Sequence, residues 1–466
     1  MEQWEESECL YSDFGDKRLN KRLAIILHSF SNSPKDSIPT SCQTWDKTIG
    51  VYRFMDNDKV TYDSILQGHI KATIDRISCT DVSKEEVLLA VQDTTIIDFT
   101  EHRSHDQLGH TSNSFRRGIL VHPTLLITPD RLNLGILDAK IWTRDLSSLG
   151  SKAARKSKPI EEKESYRWLE SYISANNLAK QLLDKTIVSV GDRESDIYDL
   201  FELACAEDAK AKLLVRAAHD RRVLSENNEI NLMWNKLEAS EELGRMPLII
   251  SQTQHHQARE TELVLKSQKI KLKAPPRKDK KLEDLEITAV LAQEVNPPSE
   301  TDSVEWMLLT TLEVNMLSDA INVLHYYTCR WQIEMYFRTL KGGCEIEKLQ
   351  FEEPDNLMNA IATYMIVSWR IQYLLMLGRE CPDLPADILF SNDEIIALHI
   401  AKSKPKPEKM PTVFEMVILI ATMGGFLNRK GDKYPGLKTF WVGLNKLLHY
   451  TFMYQQMSNS KDVYNG

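Results

Sequence analysis

Residues 327–341 read YTCRWQIEMYFRTLK, with Tyr327, Arg330, Glu334, Arg338 and Lys341 at spacings of three, four, four and three. On a helix turning about 100° per residue, those five side chains fall within a wedge of roughly 80°. One carboxylate therefore sits on a stripe otherwise made of cations and a phenol. Guanidinium forks and a tyrosine hydroxyl hold phosphate oxygens, and a carboxylate among them can hold a divalent metal against the same phosphate. The stripe suits a phosphodiester backbone. An exposed helix with an ordinary Arg–Glu pair four residues apart fits it too, so the rest of the chain has to decide.

Two buried strands upstream bear on the question. VLLAVQDTTIIDF at 87–99 opens as an apolar run that ends in Asp93, and KTIVSVGDRESDIYDLF at 185–201 holds a second run that ends in Gly191 and Asp192. An aspartate after a buried strand is often only a cap or a turn residue. Between the two lie alternating segments near 118–128 and 131–143 that read as strands of a meander, then a helix near 161–183. A helix from about Asp196 and a strand at 212–216 complete the order: three strands, helix, strand, helix, strand. That order predicts an α/β fold with a ribonuclease-H-like catalytic core, in which carboxylates at strand ends gather metal. Other α/β folds share the pattern; two strand-ending aspartates together with Glu334 single this one out.

Around the core, residues 1–70 predict a helical domain with a basic cluster at Lys17, Arg18, Lys21 and Arg22. Short alternating runs from about 220 to 312 predict a β-rich insertion, and 71–365 is read as one catalytic domain containing it. Pro354 and Asp355 open a long apolar helix, 402–411 is linker-like, and 366–466 is read as a helical C-terminal region. Its aromatics Phe440, Trp441, Tyr450 and Phe452 suit a core or a subunit interface.

Composition bounds the rest. The 466 residues, 42% of them hydrophobic, suit two to four domains. The acidic start MEQWEESECL is no signal peptide, and the apolar stretch near 361–377 is broken by Arg370, so no membrane is expected. Seven cysteines at 9, 42, 79, 205, 329, 344 and 381 form no CxxC pair, which points to a reducing, cytoplasmic setting and away from zinc. Cys329 reads as a packed helix residue, and His102, His105 and His110 lack the cysteine partners of a metal loop. The net charge of −9 is unfavourable for DNA, but phosphate contacts are local. Basic clusters occur at Lys152, Arg155, Lys156 and Lys158, and between Lys266 and Lys281. Phosphate loops and GxSxG elbows are absent from the sequence. Three carboxylates can hold two divalent ions, magnesium or manganese by their hard oxygen ligands, and no protein nucleophile is then needed.

Tyr327, Arg330, Glu334 and Lys341 match the Y-(2)-R-(3)-E-(6)-K signature, and the chain resembles the insertion-sequence-four family of bacterial DDE transposases. DTT at Asp93, DRESDI at Asp192, EKES at 162–165, RWQIE, EEPDNL, YRF at 52–54 and GGF at 424–426 carry the resemblance along the whole chain. It implies an end-recognition domain, a ribonuclease-H-like core and a C-terminal dimerisation region. It implies Asp93, Asp192 and Glu334 as ligands of two Mg2+ ions. The partners it implies are double-stranded DNA, as transposon ends and target, and a second copy in a synaptic homodimer. It further implies excision through a DNA hairpin, with Trp306 stacking on a displaced base and Arg216, Tyr327, Arg330, Arg338 and Lys341 holding the distorted strand. Arg18 and Arg22 would contact the terminal repeats. A ribonuclease-H-like nuclease that does not join strands, and a catalytically silent DNA-binding derivative, are the alternatives.

Overall fold

The computed structural model describes residues 4–78, 82–102, 105–111, 115–144, 158–225, 227–250, 259–277, 280–297 and 303–464, with the side chains of all but His105 and residues 459–464. Lys152, Arg155, Lys156, Lys278 and Cys79 lie outside the described residues.

The buried run Val87–Gln92 forms β1, and Thr95–Asp98 forms β2. Both pair with the same strand, β3 (Gly118–Ile127): Leu89 to Gln92 lie opposite Ile127 to Thr124, and Thr95 to Asp98 opposite Val121 to Gly118. They are one line of chain interrupted at Asp93 and Thr94. β4 (Asn133–Trp142) covers the other edge of β3, antiparallel. On the inner side, β5 (Thr186–Gly191) runs parallel to β1, and β6 (Lys212–Arg216) runs parallel to β5. Strands flanked on both faces read as continuous apolar runs, and β1, β3 and β5 are buried nearly throughout.

The expected insertion is not a separate sheet. β7 (Arg222–Leu224), β8 (Ile230–Leu232), β9 (Glu242–Ile250), β10 (Arg259–Leu272), β11 (Leu285–Glu294) and β12 (Glu305–Thr310) all extend the central sheet. The junction is β12 on β6, with Leu308 opposite Arg216, and twelve strands form one continuous surface. The loop after β10 folds back on the core: Arg277 pairs with Asp199 and Lys280 with Glu202. Its basic run is thus partly neutralised.

Helices α1 (Trp4–Cys9), α2 (Lys17–Asn32), α3 (Ile38–Cys42), α4 (Trp45–Met55) and α5 (Tyr62–Arg76) build the N-terminal part. A buried polar cluster fastens it to the core. Glu8 accepts from Arg76 at 2.7 Å and from His69 Nδ1 at 2.6 Å, while the backbone N–H of Ile136 on β4 donates to His69 Nε2 at 3.1 Å. Gly135, at φ +148°, opens the space: a Cβ there would meet Thr73 Oγ1 of α5 at 2.0 Å.

Helix α6 (Tyr166–Gln181) lies on the sheet, followed after β5 by α7 (Tyr198–Ala204), and α8 (Met233–Glu238) follows β8. The stretch at 327–341, expected as one helix, is broken. α9 (Leu317–Cys329) ends at Arg330, α10 (Trp331–Arg338) starts beyond it, and Thr339–Gly343 widen into a π-turn. α11 (Pro354–Glu380) is long and apolar enough to cross a membrane, but it is buried in the protein, with Tyr364 stacked on Phe30 at 4.6 Å. Helices α12 (Asn392–Ala401), α13 (Val413–Met423) and α14 (Leu437–Tyr464) close the chain. Phe440 and Trp441 are core residues, and Trp441 packs on the π-turn at Gly343; Tyr450 and Phe452 are exposed.

Candidate active site

The parallel register of β1 and β5 sets Val91 opposite Val190, so two residues further on Asp93 and Asp192 leave neighbouring strand ends side by side. Asp93 Oδ1 accepts the Thr94 N–H at 2.7 Å. Asp192 caps the short turn Arg193–Ser195, its Oδ1 accepting the Glu194 N–H at 2.8 Å. The other aspartate of DRESDI has a different task. Asp196 is buried, accepts from the backbone N–H groups of Ala218 and His219, and pairs with Arg221 at 2.5 Å, which anchors the turn behind Asp192.

Glu334 reaches this pair from α10. Arg330 joins the walls: its Nη1 donates to Asp93 Oδ2 at 2.8 Å and its Nη2 to Glu334 Oε1 at 2.6 Å. The side chains of Asp93, Arg330 and Glu334 are only 19%, 17% and 30% exposed, so these charges act on one another with little screening. Burial, then the charge of Asp192, pushes the Asp93 carboxyl up to about 6; Glu334 adds to the rise and Arg330 opposes it.

A site for divalent ions was expected, and the donors fit: hard carboxylate oxygens, with repulsion around Asp93 that a cation relieves. Among the described residues, however, no three acidic, histidine or cysteine groups stand close enough to share an ion as they are. The guanidinium of Arg330 lies between Asp93 and Glu334 and occupies one oxygen of each.

The other expected residues divide into groups. Tyr327 is buried beside Arg330, and its ring centroid lies 6.3 Å from that of Trp306. Arg216 sits at the end of β6 with its Nη2 donating to the Glu305 carbonyl at 3.2 Å, next to Trp306. These three form a second cluster adjoining the acids. Lys341 is turned by the π-turn toward Asp98 and Glu347; burial lowers its pKa and those two acids oppose the drop. Arg338 is exposed and stacks over Trp331 at 5.4 Å. Arg18 chelates Asp16 at 2.8 Å, and Arg22 lies against Gly50 of α4, so both belong to the N-terminal helices rather than to this pocket.

Sequence reasoning missed the polar residues under the aspartates: Gln92, Thr94, His122, Arg167, Ser189 and Glu194. The signal was present. Gln92, His122 and Ser189 are buried polar residues in three largely apolar strand runs, where a polar side chain needs a partner.

Comparison with known proteins decides the class. A transposase DNA-binding family matches residues 1–60, a transposase DDE domain matches 173–370, and a transposase Tn5 dimerisation domain matches 366–457. The chain carries the domain set of a Tn5-type DDE transposase. The DDE match implies a ribonuclease-H-like core, in keeping with the mixed sheet, and DDE transposase domains generally use divalent metal ions. Asp192 and Glu334 fall inside that match and Asp93 lies before it. Among solved structures, the cryo-EM structure of the piggyBac transposase synaptic complex with hairpin DNA is similar at 10% identity and a TM-score of 0.37, over 97% of this chain and 72% of that one. That likeness is too distant to bear on the argument.

Proposed function

We propose that the protein is a cut-and-paste DNA transposase of the insertion-sequence-four family, in which Asp93, Asp192 and Glu334 hold two divalent ions at a scissile phosphate. The observation that supports this reading best is the pairing of Asp93 and Asp192 at parallel strand ends, with Glu334 brought to them through Arg330. Bound magnesium, or manganese in its place, would polarise the phosphate and make a water or a DNA 3′-hydroxyl nucleophilic.

The protein's own groups do the rest. Asp93 has to be ionised to take part, and a cation binding there has to displace the proton that burial and Asp192 favour in the empty site. Arg330 trades its carboxylate partners for phosphate oxygens as DNA and metal enter, and a guanidinium fork suits either partner. Trp306 offers a stacking face for a base displaced at the transposon end, worth about 1–3 kcal/mol, and Tyr327 and Arg216 flank it. In this reading the end is opened through a DNA hairpin and then joined to target DNA. Arg18 and Arg22 contact the terminal repeats, and two copies bridge two ends. Lys341 and Arg338 lie farther along the same strand's path.

Incubation of the full-length protein and Mg2+ with its element's terminal repeats tests the reading. Hairpin ends on a denaturing gel and strand-transfer products in a plasmid assay are expected. Nicks with an intact partner strand would remove the hairpin step, and cutting without joining would leave a nuclease.

A further inference from the structure

A run of hydrogen bonds passes beneath Asp93 and Asp192 and crosses three strands and one helix. Its centre is Arg167, the second residue of α6, which is buried between the rings of Trp142 and Trp168 at 5.9 and 5.4 Å. The guanidinium donates in three directions. Nε reaches Thr94 Oγ1 at 2.8 Å, Nη1 the Glu164 carbonyl at 2.8 Å, and Nη2 the Glu194 carboxylate at 2.7 Å. Thr94 directly follows Asp93. Glu194 lies two residues after Asp192 and gives that carboxylate its own backbone N–H. One side chain therefore ties together the two turns that carry the aspartates.

One assignment of the protons satisfies every bond beyond Thr94. Arginine can only donate, so Thr94 Oγ1 accepts from it and passes its own proton to His122 Nδ1 at 2.8 Å. His122 then carries its proton on Nε2 and donates to Gln92 Oε1 at 3.2 Å; the Gln92 amide donates to Ser189 Oγ at 2.8 Å. Gln92 and Thr94 bracket Asp93, so the residues on both sides of it are fixed, one to β5 and one to α6.

A buried guanidinium is costly unless every donor is used, and apolar residues would fill the same space more cheaply. Here two of its three hydrogen bonds go to the neighbours of the two aspartates, Thr94 and Glu194. We propose that Arg167 is a positioning residue: acting through Thr94 and Glu194, it sets the separation and aim with which Asp93 and Asp192 share divalent ions. The inference rests on the reading of those aspartates as a metal-binding pair. Outer groups that orient ligands change metal affinity by about 10–100-fold when removed.

The test is Mn2+ binding to the full-length protein, read from the free-ion electron paramagnetic resonance signal, beside thermal unfolding. Arg167→Ala and Thr94→Val should each weaken Mn2+ binding by about 10–100-fold. Thr94→Ser, which keeps the hydroxyl, should bind as the wild type does. A merely structural role would lower the unfolding temperature and leave the affinity of the folded protein unmoved. Should Arg167→Ala fail to fold, the near-isosteric Thr94→Val decides alone. Wild-type Mn2+ affinity in Thr94→Val, with Asp93→Ala impaired, would overturn the proposal and spare the reading beneath it. Wild-type affinity in Asp93→Ala would overturn both.

Discussion

The wall of the pocket that carries Asp93 and Asp192 and the wall that carries Glu334 hold their carboxylates in different ways. On the strand wall, each aspartate leaves a paired strand, accepts a backbone N–H, and rests on side chains whose hydrogen bonds run from Glu194 to Ser189. On the helix wall, Glu334 has Arg330 as its partner, and the helix is interrupted at Arg330 on one side and at the π-turn on the other. Breaks of this kind in a helix mark places where register can adjust. The difference teaches that two carboxylates are held by the sheet itself, while the third is held by an arginine that also pairs with Asp93.

Removing any one carboxylate should have the largest effect. Asp93→Ala, Asp192→Ala and Glu334→Ala are each expected to lower cutting of the element's ends by about 10³-fold or more, the equivalent of several kcal/mol of charge stabilisation. End binding, followed by gel shift, should change little. An active single variant would take that residue out of the site.

The walls should then separate in stability. His122→Leu cuts the strand-wall network and strands the Gln92 carbonyl and the Thr94 hydroxyl, at an expected loss of about 1–3 kcal/mol in urea unfolding. A neutral result would mean that the network adds no rigidity and that the contrast is false.

A smaller effect of opposite sign is expected at Asp93. Its folded pKa of about 6 lies above the ordinary 3.8, so between those values the folded protein binds more protons than the unfolded chain, and stability falls as pH rises. Without metal, Asp93→Asn should therefore be more stable than the wild type at pH 8, by about 1–2 kcal/mol. The gain should shrink as the pH drops through about 6 and vanish near 4. An equal or lower melting temperature for the variant at pH 8 would show that Arg330 fully neutralises the pocket. Smallest of all, Arg338→Ala, on the exposed side of the helix wall, should alter stability by no more than about 0.5 kcal/mol. A larger loss would mean that its stacking on Trp331 supports the helix carrying Glu334.

Periodicity and strand-ending aspartates made the core legible in the sequence. The runs at 87–92 and 186–191 are apolar because both faces of those strands are covered, and β6 spans the expected 212–216. Helical spacing failed at 327–341: the pattern assumes an unbroken helix, and nothing in local spacing records the interruption at Arg330 or the π-turn that sends Lys341 toward Asp98. The joining of β12 to β6 was equally invisible, because pairing between strands some ninety residues apart leaves no local signature. Arg330 was expected on phosphate or on Glu334 four residues on; it is found on Glu334 and also on Asp93, a partner set only when the sheet and α10 meet.

In the proposed reading Asp93, Asp192 and Glu334 form one metal site once Arg330 withdraws. Anomalous scattering from a crystal of the protein bound to its transposon end and soaked in Mn2+ tests this most directly. The account predicts manganese peaks bounded by all three carboxylates, with the Arg330 guanidinium moved onto a phosphate. Peaks that leave out Glu334, or an Arg330 still bridging Asp93 and Glu334 beside bound manganese, would contradict it.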